Sequence, residues 1–533
     1  MLPRSIVRRV VWSILISSSL VIGLSAQAPA PTSTPAPSAG SPTKVGPAVG
    51  AFEAHADLGT VLHAGSAAFD AASGTYTISG SGENVWGTAD ALHFVWTKLE
   101  GDVALEADVA FVGAGTNPHR KAMLMIRQGL EADAAYVDAA VHGDGLTSIQ
   151  FRVVKGGPTQ EVQSSVAGPA RVRIEKQGDY ARLYVLDRAG AAGGQPLQFS
   201  GGAARITLEG PIYVGLGVCS HEKDEVVTAA FSKVQLQKTL PPTTKPPVLY
   251  STLETVPLGG NSTDRRVQYV STTRFEAPNW YPDGKAWLVN SAGKLVKIPM
   301  GGGAVETVNT GTRTRSNNDH GISKDGTLIA ISDQTEGATA SGGGPSRIYT
   351  LPIGGGEPTL ITPNAPSYWH GISPDGKTLA YCAQRNGEYD VYTIPVGGGD
   401  EKRLTTATGL DDGPEYSPDG QWIYFNSVRT GLMQIWKMKP DGSEQTQVTS
   451  DEFNNWFAHP SPDGKYLVFL SYDKSVSGHP ANQDVRLRRM TVATGQITTV
   501  GRFFGGQGTQ NVPNWSPDGR SVAFVTYQLV PQW

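Results

Sequence analysis

From about residue 50 the chain alternates apolar and polar positions with a period of two. Val103, Leu105, Ala107, Val109 and Phe111 fall on one face of an extended strand, with Ala104, Glu106, Asp108 and Ala110 on the other. Val172 and Ile174 alternate with Arg171, Arg173 and Glu175, and Lys176-Gln177-Gly178-Asp179 then turns into a second apolar stretch, Ala181 to Leu186. Strand pairs of this kind predict the hairpins of a two-sheet sandwich over residues 50–238. Long helical periodicity is not seen, so the expected class is all-β. Glu106 and Asp108 share a strand face but sit inside ordinary alternation, so they read as structural.

The second half is organised by a repeat. Tyr281-Pro282-Asp283-Gly284, Ser323-Lys324-Asp325-Gly326, Ser373-Pro374-Asp375-Gly376, Ser417-Pro418-Asp419-Gly420, Ser461-Pro462-Asp463-Gly464 and Ser516-Pro517-Asp518-Gly519 follow one another at Asp-to-Asp spacings of 42, 50, 44, 44 and 55. Proline presets the first corner of a tight turn, aspartate caps it, and glycine takes the left-handed position. An apolar alternating strand follows each turn, for example Thr378 to Tyr381. The spacing is that of a four-stranded propeller blade. A second turn signature comes later in each repeat, as in Ile298-Pro299-Met300-Gly301-Gly302, Leu351-Pro352-Ile353-Gly354-Gly355 and Ile394-Pro395-Val396-Gly397-Gly398. The sixth repeat lacks it, while Val256-Pro257-Leu258-Gly259-Gly260 carries it with no preceding SPDG turn. Residues 248–533 are therefore expected to form a six-bladed β-propeller whose last blade is closed by an N-terminal strand, which would remove exposed sheet edges.

Two family resemblances follow from these motifs. The run GTYTISGSGENVWGTADALHFVWTKLEGDVALEADV (Gly74 to Val109) with KAMLMIRQ after it resembles concanavalin-A-like or laminin-G-like jelly rolls, which implies a sandwich that in some relatives binds glycans. The SPDG series resembles the WD40-like (PD40) repeat of TolB-like propellers, found in Tol-system proteins, prolyl peptidases and carbohydrate-active proteins. This chain places a sandwich where TolB proteins carry an α/β domain, which argues against a role in the Tol machinery.

Composition narrows the setting. Charged residues make up 17% of the 533, and there are 64 glycines, which suits turn-rich β structure. Residues 1–28 combine Arg4, Arg8 and Arg9 with an apolar run, Val10 to Leu24, and an Ala26-Gln27-Ala28 cleavage site, the parts of a secretory signal peptide. Losing those three arginines moves the formal charge from −4 to −7. A mildly acidic surface excludes nucleic acid as a natural partner. No later stretch is long enough to cross a membrane. Residues 29–49 read as a Pro/Ala/Ser/Thr linker and 239–247 as a stiff Pro-rich one. Cys219 and Cys382 fall in different domains, so no disulfide is expected. The expected location is periplasmic or secreted.

Counting back from each motif aspartate gathers polar and aromatic residues where the blades' first strands meet the channel. Asn318, Asp319, His320, Tyr368, Trp369, His370, Asn455, Trp456, His459, Gln510 and Asn511 are expected to bind a ligand, with amides and carboxylates bonding hydroxyls and aromatic rings stacking on sugars or apolar groups. His320, His370, His459 and Gln510 could also hold a divalent metal (Mn, Ca or Zn), as the resemblance to manganese-binding oligogalacturonate lyases implies. The function read from this pattern is an exported binding or scaffold protein with a glycan or an envelope protein as partner. The alternative is a carbohydrate-active lyase or hydrolase with Glu415, Asp411 and Asp412 as acid/base candidates. No G-x-S-x-G elbow or phosphate loop is present. The loop 475–484, with His479, lengthens the fifth repeat and reads as surface.

Overall fold

The computed structural model describes residues 41–42, 44–258, 264–338 and 344–532. The signal peptide, most of the first linker, and Gly259 and Gly260 of the orphan turn signature lie outside the described residues. Among the described residues no helix is long and apolar enough to cross a membrane.

Two antiparallel sheets of seven strands make up the N-terminal region. One runs in the order Ala54–Leu58, Leu92–Glu100, Pro211–Cys219, Lys121–Arg127, Tyr136–His142, Thr147–Arg152 and Gln160–Gln163. The other runs Gln198–Arg205, Tyr180–Leu186, Arg171–Gln177, Val103–Val112, Glu222–Gln237, Thr75–Gly82 and Ser66–Asp70. Val95, Leu124, Val137 and Ile149 of the first share one buried apolar cluster with Leu105, Ile174, Ile78 and Phe231 of the second. The alternation explains the pairing: Leu105 and Ala107 turn into that cluster, while Glu106 and Asp108 turn away and hold Arg171 at 2.9 and 2.6 Å.

Beyond residue 272 the chain forms five separate four-stranded sheets, each built from consecutive strands. They begin with Glu276–Trp280, Ser316–Ile322, Ser367–Ile372, Asp411–Tyr416 and Asn454–Pro460. The SPDG turn joins the first two strands of each. In the third blade Ser373 Oγ donates to Asp375 Oδ1 at 2.6 Å, the Gly376 N–H donates to the Ser373 carbonyl at 2.8 Å, and Gly376 has φ +72°. The same serine–aspartate bond recurs at Ser323, Ser417, Ser461 and Ser516, at 2.5–2.7 Å.

The expectation of six like blades is corrected to five. The last strand, Ser521–Gln532, pairs with Lys245–Pro257, which pairs with Arg265–Ser271. Arg265–Ser271 then runs parallel to Gln160–Gln163, so these three strands belong to one ten-stranded sheet with the N-terminal region. An inner strand is missing because residues 507–512 turn rather than extend. The Trp515–Val522 bridge, two bonds between Asn514 and Ala523 and one from the Val525 N–H to the Thr509 carbonyl join that segment to the last strand. Arg265 anchors this junction through a buried two-pronged pair with Glu254 at 2.7 and 2.8 Å, and Thr526 donates to the same carboxylate at 2.6 Å. Cys219 and Cys382 are both buried and free.

Candidate functional site

The first strand of each blade carries a register break: between Glu276 and Asn279, Ser316 and His320, Trp369 and Gly371, Asp412 and Glu415, and Trp456 and His459. Bulges re-aim side chains. Within these breaks Ala277 and Phe457 hold φ of +55° and +54°, a left-handed conformation that costs a residue with a Cβ about 1 kcal/mol. The Phe457 N–H donates to Asn426 Oδ1 at 2.9 Å, which helps hold that turn.

At the start of these strands opens a cavity of about 400 Å³. Asn318, Asp319, Tyr368, His370, Asp412 and Asn511, all named from the sequence, line it. It is also lined by residues that sequence reasoning missed: Gln334, Cys382, Tyr389, Phe457, His479 and Gln507. His479 had a signal available, because the extra length of the fifth repeat folds this loop over the mouth. Its ring lies 4.4 Å from that of Trp456 and 5.1 Å from that of Phe457. Cys382 lies within a second strand, Gln334 just past the end of another and Tyr389 near the start of a third strand, where counting back from the turn motif does not reach.

Charge is concentrated on three side chains. His370 Nε2 lies 3.1 Å from Asp412 Oδ1, and His479 Nε2 is 3.9 Å from the other oxygen. Burial alone would raise the Asp412 carboxyl, but His370, its hydrogen bond and His479 bring it down to about 2. For His370 burial pulls downward, and the Asp412 charge, its hydrogen bond and the Asp319 charge together outweigh it, so the imidazole is raised. Asp319 is pushed up to about 7, first by burial and then by the charges of Asp412 and Glu276, against the pull of His370. Burial raises the Cys382 thiol far above its usual range, so no thiolate is offered. A chain of amides braces the wall: Asn318 donates to Glu276 at 3.2 Å, Gln507 to Asn318 at 3.3 Å, and Asn511 to Gln507 at 3.2 Å.

Other expected residues are placed elsewhere. His320 is buried with Nε2 3.2 Å from the Leu288 carbonyl. His459 Nε2 donates to the Gln510 carbonyl at 3.0 Å, and its Nδ1 lies 2.5 Å from Glu415 Oε2. With one nitrogen donating and the other on a carboxylate, that ring has no lone pair to give a metal. Gln510 accepts from Asn514 at 3.1 Å. Among the described residues no group of three or more His, Cys, Asp or Glu side chains is arranged to hold a metal ion. Asn455 is tied to Ser471 of its own blade, to Gln434 of the preceding one and to Asp451 between them. Trp369 and Trp456 are each 1% exposed, so neither presents a ring face for stacking.

The three acid/base candidates are also separated. Neighbours on a strand point to opposite sides: Asp412 faces the cavity, while Asp411 binds Arg429 at 2.7 Å and is buried. Glu415, raised by burial against the pull of His459, lines a second cavity of about 400 Å³ at the far end of the inner strands. That end is walled by Trp280, Trp515 and the motif prolines Pro282, Pro374, Pro418 and Pro462, with Asn279 and Lys324 among them.

Comparison with known proteins agrees with this architecture. Residues 362–496 match the TolB beta propeller domain, PD40. An uncharacterized protein of Agrobacterium fabrum is 51% identical over 263 residues, which is 49% of this chain and 88% of that protein. A solved structure described as a TolB candidate from Agrobacterium tumefaciens is 49% identical, covering 53% of this chain and 99% of its own, with a TM-score of 0.50. TolB from Acinetobacter baumannii is 13% identical over 63% of this chain and 79% of its own, with a TM-score of 0.38. Through about half of its length, the chain belongs to the family of TolB-like β-propeller proteins.

Proposed function

We propose that this is an exported binding protein whose propeller receives a polar group of a protein partner at the Asp319–His370–Asp412 mouth. The single observation that carries this reading is the cavity of about 400 Å³ in which a carboxyl, an imidazole and a carboxylate converge among aromatic walls. Convergent polar groups with shifted pKa values inside a concave, partly apolar pocket are the usual mark of a binding site. A protein partner is preferred to a glycan because Trp369 and Trp456, the rings expected to stack on sugars, are buried. We take the N-terminal sheets as a concanavalin-A-like sandwich. Export rests on the Arg-rich, apolar N-terminus; cell fractionation that left the chain in the cytoplasm would overturn it.

Capture of envelope proteins by the full chain tests the binding reading. His370→Ala should lower recovery of a specifically captured partner at least tenfold, while Lys324→Ala at the opposite mouth should leave it unchanged. Equal capture by all three proteins would contradict the proposal.

A second reading, a carbohydrate-active enzyme, is favoured by one observation: Asp319 and Asp412 are driven apart, to about 7 and about 2. Carboxyls split in this way can serve as proton donor and anion. Turnover of oligosaccharides that is lost in Asp319→Asn would support it, and no turnover across a panel of plant and bacterial oligosaccharides would remove it.

A further inference from the structure

We propose that the group received at the Asp319–Asp412 mouth is a cationic side chain, an ammonium or guanidinium at the end of a flexible apolar stem. This rests on the binding reading above and adds the chemistry of what is bound.

The cavity lining holds two carboxyl groups and neither lysine nor arginine. The two are not equivalent. Asp412 has His370 at 3.1 Å, so its charge is already met. Asp319 is 6% exposed, and none of the ion pairs among the described residues includes it; His370, whose charge acts on it, is bonded to Asp412. A buried carboxylate without a counter-ion is unfavourable, so the empty cavity is incomplete in one respect, a missing positive charge. Arg274, the cation beside this wall, is held by Glu276 at 2.5 Å and does not supply it.

The walls fit the rest of such a side chain. Phe457, Tyr368 and Tyr389 line the same cavity, and the two tyrosine rings lie 6.4 Å apart. Aromatic faces attract cations and accept the methylene stem of lysine or arginine. Phe457 is kept in the wall despite its left-handed backbone, and the His370 ring stacks against it at 5.7 Å. An anion would meet two carboxyl groups. A neutral hydroxyl would leave Asp319 without its counter-ion.

Calorimetric titration of the full chain at pH 8 with short capped peptides tests the assignment. Ac-Gly-Lys-Gly-NH2 and Ac-Gly-Arg-Gly-NH2 are expected to bind, and the same peptides with norleucine or citrulline at the centre to bind at least tenfold more weakly. Asp319→Asn should weaken the cationic peptides at least tenfold and leave the neutral ones unchanged. Tyr389→Ala, at the half-buried rim, should weaken the cationic peptides with both carboxyls intact, which keeps the test open if Asp319→Asn does not fold. Neutral peptides binding as tightly as cationic ones, or no binding of any peptide while partner capture still depends on His370, would overturn the cation assignment and leave the binding reading standing. Loss of both peptide binding and mouth-dependent capture would remove both.

Discussion

Asp319 and Asp412 differ because of what each one faces. Asp412 has an imidazole in contact, so its carboxylate survives burial; Asp319 has burial and two like charges, so its proton is retained up to about pH 7. The linkage has a definite sign. The unfolded Asp319 carboxyl titrates near 3.8, so between pH 4 and 7 the folded chain binds more protons than the unfolded one, and stability falls as pH rises through that window. Asp319→Asn removes this loss. It should leave urea stability at pH 4 unchanged and raise it at pH 8 by up to about 4 kcal/mol, the equivalent of three pKa units. Asp412 acts in the opposite direction: its stabilisation is present above pH 4 and is lost as pH falls towards 2. Asp412→Ala should destabilise the chain at pH 7 by about 3 kcal/mol, because His370 loses its anion, and should lower the His370 pKa when followed by NMR.

At the scale of elements, the blades depend on close fits between neighbouring inner strands. A Cβ on Gly321 would lie 2.0 Å from the Trp369 indole of the next blade. Gly321→Ala should therefore lower stability by about 1–3 kcal/mol in chemical denaturation. Five of the blades were legible in the sequence because their turn chemistry is local: each motif's aspartate bonds within its own few residues and each glycine needs its left-handed φ. The closing strands were legible only in part. They come from Lys245–Pro257 and Arg265–Ser271, as the orphan turn signature suggested, but the merger with the N-terminal sheet through Val162–Arg265 carries no local motif. The site shows the same division. Counting back from the turn gathered Asp319, His370 and Asp412 within a few residues of one another along the repeat, yet the offset cannot tell which side of a bulge a residue takes. That is why Glu415 and Trp369 reach the opposite mouth and His459 is sealed between them and Gln510. His479 and Tyr389 come from a loop and an outer strand, positions that only the folded ring brings to the mouth.

In the whole molecule, the two halves are joined by hydrogen-bonded strands as well as by a linker. Arg205 pairs with Asp484 at 3.0 Å, Arg182 donates to the Leu529 carbonyl at 3.1 Å, and Tyr180 bonds to Asp484. The buried Arg265–Glu254 pair sits where the last strand meets the chain preceding the repeats. Arg265→Ala leaves a buried carboxylate and should cost about 3–5 kcal/mol. It should also make the N-terminal region and propeller unfold in separate transitions, which differential scanning calorimetry would resolve; a single unshifted transition would contradict this coupling. The two mouths differ in what lines them: one carries Asp319, His370 and Asp412, the other Glu415, Lys324 and the motif prolines. The central claim is that the end carrying Asp319 and Asp412 is the one that binds. The most direct measurement places a photo-cross-linking amino acid at Tyr389 or, in a second protein, at the exposed Lys324 of the opposite mouth, and irradiates each in cells. A specific adduct from position 389 and none from 324 is the predicted result; an adduct from 324 alone would contradict the account.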